Sequence, residues 1–376
     1  MTVFETHRRH LSDLQSVSRH RALAPRTGVD FASNDYLGLA GSPALRLAVT
    51  DALDRGVPVG SGGSRLLRGN HPEHQALEAE AAAVFGSQAA LYFSSGYAAN
   101  AALLATLPQT GDLVVHDALI HASAHEGMRL GRAEITAAAH NDAEAVEEAI
   151  EGWRSAGGRG RVWIAVESLY SMDGDRAPLA DLAMIADRLE AILLIDEAHA
   201  TGVFGPGGRG LAAGLEGREN VITLRTCGKA LGCDGALVCG DQTVIDFLVN
   251  RGRGFIFSTA PSPLMAAACR GALQLMQHDS LRSRLHALID HAGDLFAERL
   301  GIAPTGSQIL PVIVGEDARA MTVAAALQAQ GMDVRGIRPP TVPAGTARLR
   351  VSLTLNVGCA DVDTLVAALE PLLELT

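Results

Sequence analysis

Short, continuous apolar runs alternate with helix-period segments between residues 72 and 250 of the chain. "HPEHQALEAEAAAVFG" opens the stretch, with Pro72 near a helix start and Gly86 just past its end. Proline at the first turn loses no hydrogen bond, and glycine accepts the left-handed conformation that stops a helix. The runs "AALYFS", "DLVVH", "RVWIAVES", "AILLIDEAH", "VITLRT" and "GALVCG" then follow in order. Helical patterns begin at Gly96, after "DLVVH", and around "PLADLAMIADRLE". Strands that are apolar at every position are buried on both faces, so the pattern predicts an α/β fold: a mostly parallel central sheet covered by helices on both sides. Ligands on such sheets gather at the carboxyl ends of the strands. Three polar clusters sit there: Ser94-Ser95-Gly96, Asp196 to His199, and Thr226 to Lys229.

Past residue 261 the texture changes. Two long helical patterns, 261–278 and 280–300, precede "ILPVIV", a helix, "RLRVSL" and a last helix. The expected organisation is an N-terminal helical arm over 1–38, a large domain over 39–260, and a smaller C-terminal α+β domain over 261–376. With 48% hydrophobic and 19% charged residues, the chain is that of a globular protein. A net charge of −11 argues against a protein that coats nucleic acid, which needs a basic face. The five cysteines (Cys227, Cys233, Cys239, Cys269, Cys359) form no C-x-x-C pair and are odd in number, which fits a reducing compartment. No apolar run approaches a membrane span, and the first residues lack a signal-peptide core. A soluble cytoplasmic protein is expected.

Three motif matches fail on physical grounds. "DEAH" at 196–199 suggests a helicase, but the phosphate loop such ATPases need is absent: Gly228-Lys229 is followed by alanine, and position 223 is threonine where glycine is required. "GPGGRG" at 205–210 matches a dinucleotide fingerprint in letters only, lying well past its strand and opening on a Gly-Pro turn; it reads as a flexible loop beside the sheet edge. His121 and His125 are four residues apart in "HASAHE", yet no third ligand accompanies them, so no metal site is expected.

One compositional fact redirects the search. Of 31 basic residues other than histidine, only Lys229 is lysine. Either compositional drift toward arginine left one lysine by chance, or chemistry at this point needs a primary amine that no guanidinium supplies. A lysine amine condenses with an aldehyde to give a Schiff base once its surroundings favour the neutral or imine form. Asp196 ends "AILLID", where it reads either as a helix cap or buried ion partner, or as the carboxylate that keeps a pyridine nitrogen protonated. The second role makes pyridoxal 5'-phosphate (PLP) an electron sink. His199 has a matching pair of readings, a satisfied loop histidine or a donor to the ring's phenolic oxygen. "SSGYAAN" at 94–100 runs from a strand into a helix, where exposed N–H groups and the helix dipole suit a phosphate, with Thr226 able to add a hydroxyl.

Asp-x-x-His after a strand, then Thr-x-Gly-Lys some thirty residues on, resembles the fold-type I PLP enzymes. More narrowly, "SNDYLGL" (33–39), "GSGGSR" (60–65), "SMDGD" (171–175), "DEAHATGVFGPGGRG" (196–210) and "TCGKALG" (226–232) are similar, in the same order, to the α-oxoamine synthases. That family joins an amino acid to an acyl-CoA with loss of carbon dioxide. The resemblance implies that Lys229 carries the cofactor and acts as base, and that Asp196 and His199 tune the ring. His121 would stack over the ring, and Ser171 would touch it. Gly96, Tyr97 and Thr226 would lie around the cofactor and its phosphate, helped by Ser258 and Thr259 of a second subunit in a homodimer. "IRPPTVPAGTARLR" (337–350) is similar to the branch that condenses L-alanine with pimeloyl-CoA, or a pimeloyl carrier protein, in biotin biosynthesis. Glycine-using relatives match it less well. Thr341 and Arg350 would then face substrate, Arg350 pairing with the amino acid carboxylate, with Asn34 assisting. Arg19 matches the family's N-terminal substrate arginine, with Arg21 a close rival, in a segment shorter than the family's by what resembles a missing β-hairpin.

Overall fold

The computed structural model describes residues 3–374. Seven strands form the central sheet: β1 (Ala89–Phe93), β2 (Leu113–Asp117), β3 (Glu134–Ala138), β4 (Val162–Glu167), β5 (Ile192–Asp196), β6 (Val221–Thr226) and β7 (Ala236–Gly240). Their order across the sheet is β1-β7-β6-β5-β4-β2-β3, and β7 alone runs against its neighbours. The apolar runs thus become a largely parallel sheet, as patterned. Successive side chains point to opposite faces. Val114, Leu194 and Ile222 pack on one side with Leu103, Met128 and Leu248. Val115, Leu193 and Ile195 pack on the other with Val146, Ile150 and Leu182. Two helical layers, one per face, follow from that alternation.

β3 is the strand that patterning misses. "EITAA" has no continuous apolar run because it lies at the sheet edge, paired only with β2, and four of its five residues are exposed. An edge strand is free of the two-faced burial that makes the others legible.

By packing, the chain divides into two units. The larger comprises Leu37–Ser171 and Arg176–Arg282. The smaller comprises the described residues up to Tyr36, Met172–Asp175, and everything described from Ser283 onward. The division differs from the sequence expectation of a boundary at 260. Helix Pro263–Met276 packs on helices Pro43–Asp54 and Pro72–Phe85, with Ala267 set against Ala52 and Val57, so it belongs to the larger unit. The break falls inside helix Asp279–Leu300. Met172–Asp175 joins the smaller unit because Arg348 Nη1 donates to Asp173 Oδ1 at 2.5 Å and to Met172 O at 3.2 Å. In that unit β8 (Ile309–Gly315), β9 (Arg335–Ile337) and β10 (Ala347–Ser352) form an antiparallel sheet in the order β9-β10-β8. The N-terminal helix Glu5–Ser16 buries no residue, and Val29–Asp30 pairs in parallel with Met332–Asp333.

Two rejected motifs acquire structural roles. Glu197 of "DEAH" is fully buried, accepting from the N–H groups of Leu211 (3.0 Å) and Ala212 (2.7 Å). Arg225, equally buried, stacks on Phe85, pairs with Glu216 and Glu197, and donates to Arg209 O at 2.6 Å. The glycine loop is therefore pinned to the sheet rather than flexible. Gly210 is indispensable to this: its φ is +91°, and a Cβ there would stand 1.7 Å from Glu197 Oε2.

Candidate active site

Every residue expected to hold the cofactor lies in the larger unit. The carboxyl ends of β5 and β6 are adjacent because the strands pair in parallel register, Asp196 opposite Leu224. Asp196 ends β5 and is buried; its Oδ1 accepts from Ala198 N at 2.9 Å and its Oδ2 from Asn100 Nδ2 at 2.7 Å. The chain then turns to bring His199 inward, where Nε2 lies 2.7 Å from Lys229 Nζ. One proton is shared between those nitrogens, one donating and the other accepting. Lys229 follows Thr226, the last residue of β6, whose hydroxyl accepts from Gly228 N and donates to Gly235 O, both at 3.3 Å.

Ser95 caps helix Gly96–Thr106, its side chain accepting from Ala98 N at 3.1 Å. A Cβ on Gly96 would stand 3.6 Å from Thr226 Oγ1, so glycine leaves clear the space between this helix start and that hydroxyl. Exposed backbone donors, a helix dipole and a threonine hydroxyl around cleared space form a cradle for a phosphate. Tyr97 beside it is half exposed. Ser171 is buried, and its backbone N–H donates to Glu167. His121 starts helix Ala122–Leu130; its Nδ1 lies 2.8 Å from Ser123 Oγ and accepts from Ser123 N at 3.2 Å. Protein packed behind the ring lowers its pKa; Asp196 opposes that and Lys229 reinforces it. Ser258 and Thr259 follow the short helix Arg253–Ile256 and share a small recess with Ser94 and Arg65 of the same chain. A buried carboxylate, a lysine amine held by a histidine and an anion cradle are the donor set that PLP requires.

The substrate-side residues lie in the smaller unit. Arg350, on β10, is buried; its Nη1 donates to Ser352 Oγ at 2.6 Å and its Nη2 to Tyr36 Oη at 3.4 Å. Tyr36 Oη in turn donates to Asn34 Oδ1 at 3.0 Å. Thr341 is exposed and accepts from Arg21 Nη2 at 3.3 Å. Arg19 instead pairs with Asp317 at 2.6 Å. The structure thus brings Arg21, the rival, beside Thr341, and commits Arg19 to an ion pair.

Sequence reasoning passed over Asn100, Ser123 and Glu167. Asn100 had a visible signal, a lone amide in the apolar helix "GYAANAALLAT". Glu167 ends β4 opposite Asp196 and is wholly buried, with Oε1 lacking a partner among the described residues. Burial, then the charge of Asp196, pushes its pKa well above the usual carboxylate range, which keeps it neutral.

A doubly covered sheet with the lysine after one strand and the carboxylate at the end of the next is the fold-type I PLP transferase fold. Residues 26–369 match the aminotransferase class I and II family model. A curated 8-amino-7-oxononanoate synthase from Anaeromyxobacter dehalogenans (strain 2CP-1 / ATCC BAA-258) is 45% identical over 352 residues, covering 93% of this chain and 87% of that protein. Among solved structures, serine palmitoyltransferase from S. paucimobilis, in a lysine-to-alanine variant with bound PLP–myriocin aldimine, aligns with a TM-score of 0.89 at 25% identity, covering 98% of this chain and 97% of the other. An 8-amino-7-oxononanoate synthase from Francisella tularensis aligns with a TM-score of 0.76 at 27% identity, over 92% of this chain and 97% of that one. The chain belongs to the 8-amino-7-oxononanoate synthase family, within aminotransferase class I and II.

Proposed function

We propose that the protein is a PLP-dependent acyltransferase of biotin biosynthesis that condenses L-alanine with pimeloyl-CoA, or pimeloyl carrier protein, giving 8-amino-7-oxononanoate, free thiol and carbon dioxide. The observation that carries the reading is the placement of the chain's only lysine 2.7 Å from His199, with Asp196 ending the neighbouring strand. Lys229 would hold PLP, the Gly96 cradle would take its phosphate and Asp196 would face its ring nitrogen; bound there, the cofactor would supply an electron sink for the pair left when the α-proton departs. The Lys229 amine takes that α-proton and later returns it; His199 Nε2 holds the amine in place until then. Asp196 is fixed by its two donors. His121 would cover the ring face. Ser171 and Tyr97 would contribute contacts around the cofactor, and Thr226 a hydroxyl to its phosphate.

Arg350 receives the alanine carboxylate, its guanidinium held by Ser352 and, through Tyr36, by Asn34. Lysine cannot reproduce that two-point contact. Arg350→Lys is expected to raise KM for L-alanine by roughly ten- to a hundredfold, the loss of about 1.5–3 kcal/mol for a charge-assisted bond. Steady-state kinetics against alanine concentration would show it, with a smaller change in kcat. Arg21 and Thr341 serve the acyl substrate, a role in which Arg21 is preferred over the paired Arg19.

The working assembly is a homodimer. The larger unit exposes Leu66, Leu67 and Phe257, apolar surface next to Ser258 and Thr259, which supports a partner covering it and supplying the latter pair to the neighbouring phosphate. Among the described residues no helix is long and apolar enough to cross a membrane; the cytoplasmic reading is supported by the five cysteines, all of them free thiols. The deciding assay measures thiol release by the PLP-loaded protein. L-alanine with pimeloyl-CoA is expected to outpace glycine with acetyl-CoA; the reverse preference would reassign it to a glycine-using relative.

A further inference from the structure

Helix Gly96–Thr106 buries alanines and leucines, yet Asn100 stands among them almost fully enclosed. An enclosed amide is costly unless its hydrogens are used, and here both are. One goes to Asp196 Oδ2 at 2.7 Å, the other to Ser123 Oγ at 3.0 Å. A serine oxygen that accepts from Asn100 keeps its own proton for another partner. That partner is His121 Nδ1, 2.8 Å away, which also accepts the backbone N–H of Ser123. With two donors directed at Nδ1, the single proton of the neutral imidazole sits on Nε2.

We propose that Asn100 is a positioning residue of the active site, fixing the Asp196 carboxylate with one amide hydrogen and, through the Ser123 hydroxyl, the Nε2–H tautomer of His121 with the other. The relevance of this to catalysis rests on the cofactor reading given above; the relay itself does not. Its consequence is that His121 faces the site as a neutral hydrogen-bond donor, not a base. The charged groups that bear on it are Asp196 from β5 and Lys229 from the segment after β6; His125, on its own helix, is itself held below the ordinary histidine value by burial. Asp196 favours protonation, while Lys229 and the packed surroundings disfavour it.

The test uses protein labelled with nitrogen-15 at histidine, studied with and without PLP. Imidazole shifts of the wild type should report the Nε2–H tautomer for His121, titrating below the ordinary histidine value. Ser123→Ala should move that midpoint upward, since one donor to Nδ1 is gone. Asn100→Ala should do the same at a distance, because the released hydroxyl turns to accept from a protonated Nδ1. The double variant should move it no further than Ser123→Ala alone, as members of one relay are non-additive. Asn100→Ala should also weaken PLP binding about tenfold and shift the pH dependence of the bound cofactor's absorbance. If Asn100→Ala does not fold, Asn100→Ser, too short to reach both partners, takes its place with the same expected shifts. An unchanged His121 titration in the position-100 variant, or additive shifts in the double variant, would overturn the proposal. The titration of cofactor-free protein stands whatever the thiol-release assay gives, so failure of the relay and failure of the assigned reaction are told apart.

Discussion

Lys229→Ala is expected to abolish turnover and covalent cofactor attachment together. The chain offers no other lysine, so no neighbouring amine can take over either function. Borohydride treatment of PLP-loaded wild type should fix the cofactor to one peptide, that containing Lys229; the variant should bleach nothing and trap nothing. The kinetic loss should reach at least about ten thousandfold, as covalent attachment and proton transfer fail at once and general-base catalysis alone is worth about a hundred- to ten-thousandfold. Lys229→Arg should be no better, since a guanidinium stays protonated and cannot condense with an aldehyde. Added primary amines of small size should restore part of the proton-transfer function in Lys229→Ala, but not the attachment. Appreciable turnover by the alanine variant without such rescue would remove the catalytic assignment.

Much of the fold was legible because burial on both faces writes itself into composition. Six of the seven central strands read directly as apolar runs, and the helix Pro72–Phe85 was announced by its proline and by Gly86, whose φ is +76°. What stayed hidden lacked that imprint. β3 is an exposed edge, and β9 is three residues long. The unit boundary was invisible because only two residues separate helices Pro263–Met276 and Asp279–Leu300; only packing assigns the first to the larger unit. At the site, residues whose chemistry is rare in the chain stood out, above all the single lysine. Asn100 and Glu167 act through contacts made across separate elements, and nothing in their sequence spacing brings them to Asp196; Ser123 meets His121 locally, but only the fold brings it to Asn100. Arg19 and Arg21 show the same limit from the other side: two residues apart in sequence, they part only when Asp317 and Thr341 are brought to them by the fold.

The second large effect is expected at Asp196, where the isosteric change is the informative one. Two donors converge on this carboxylate, Asn100 Nδ2 on Oδ2 and Ala198 N on Oδ1. Asparagine offers a single acceptor oxygen, so in Asp196→Asn one of those N–H groups must face an NH₂. A buried donor left unmatched costs about 1–3 kcal/mol, and the variant should lose stability by that amount in denaturant titration. The catalytic loss should be larger than the structural one. An amide carries no charge and presents a hydrogen to the pyridine nitrogen instead of stabilising its proton, so the ring no longer draws electrons strongly. Breaking a buried charge pair costs about 3–5 kcal/mol, which sets the fall in kcat at roughly a hundred- to several-thousandfold. Glu167 cannot substitute, because its burial holds it neutral. Asp196→Asn should thus retain PLP on Lys229, still trappable by borohydride, while turning over almost no substrate. A variant that keeps both cofactor and full turnover would show that Asp196 is a cap and an ion partner only, the other reading its place at the end of a strand allows.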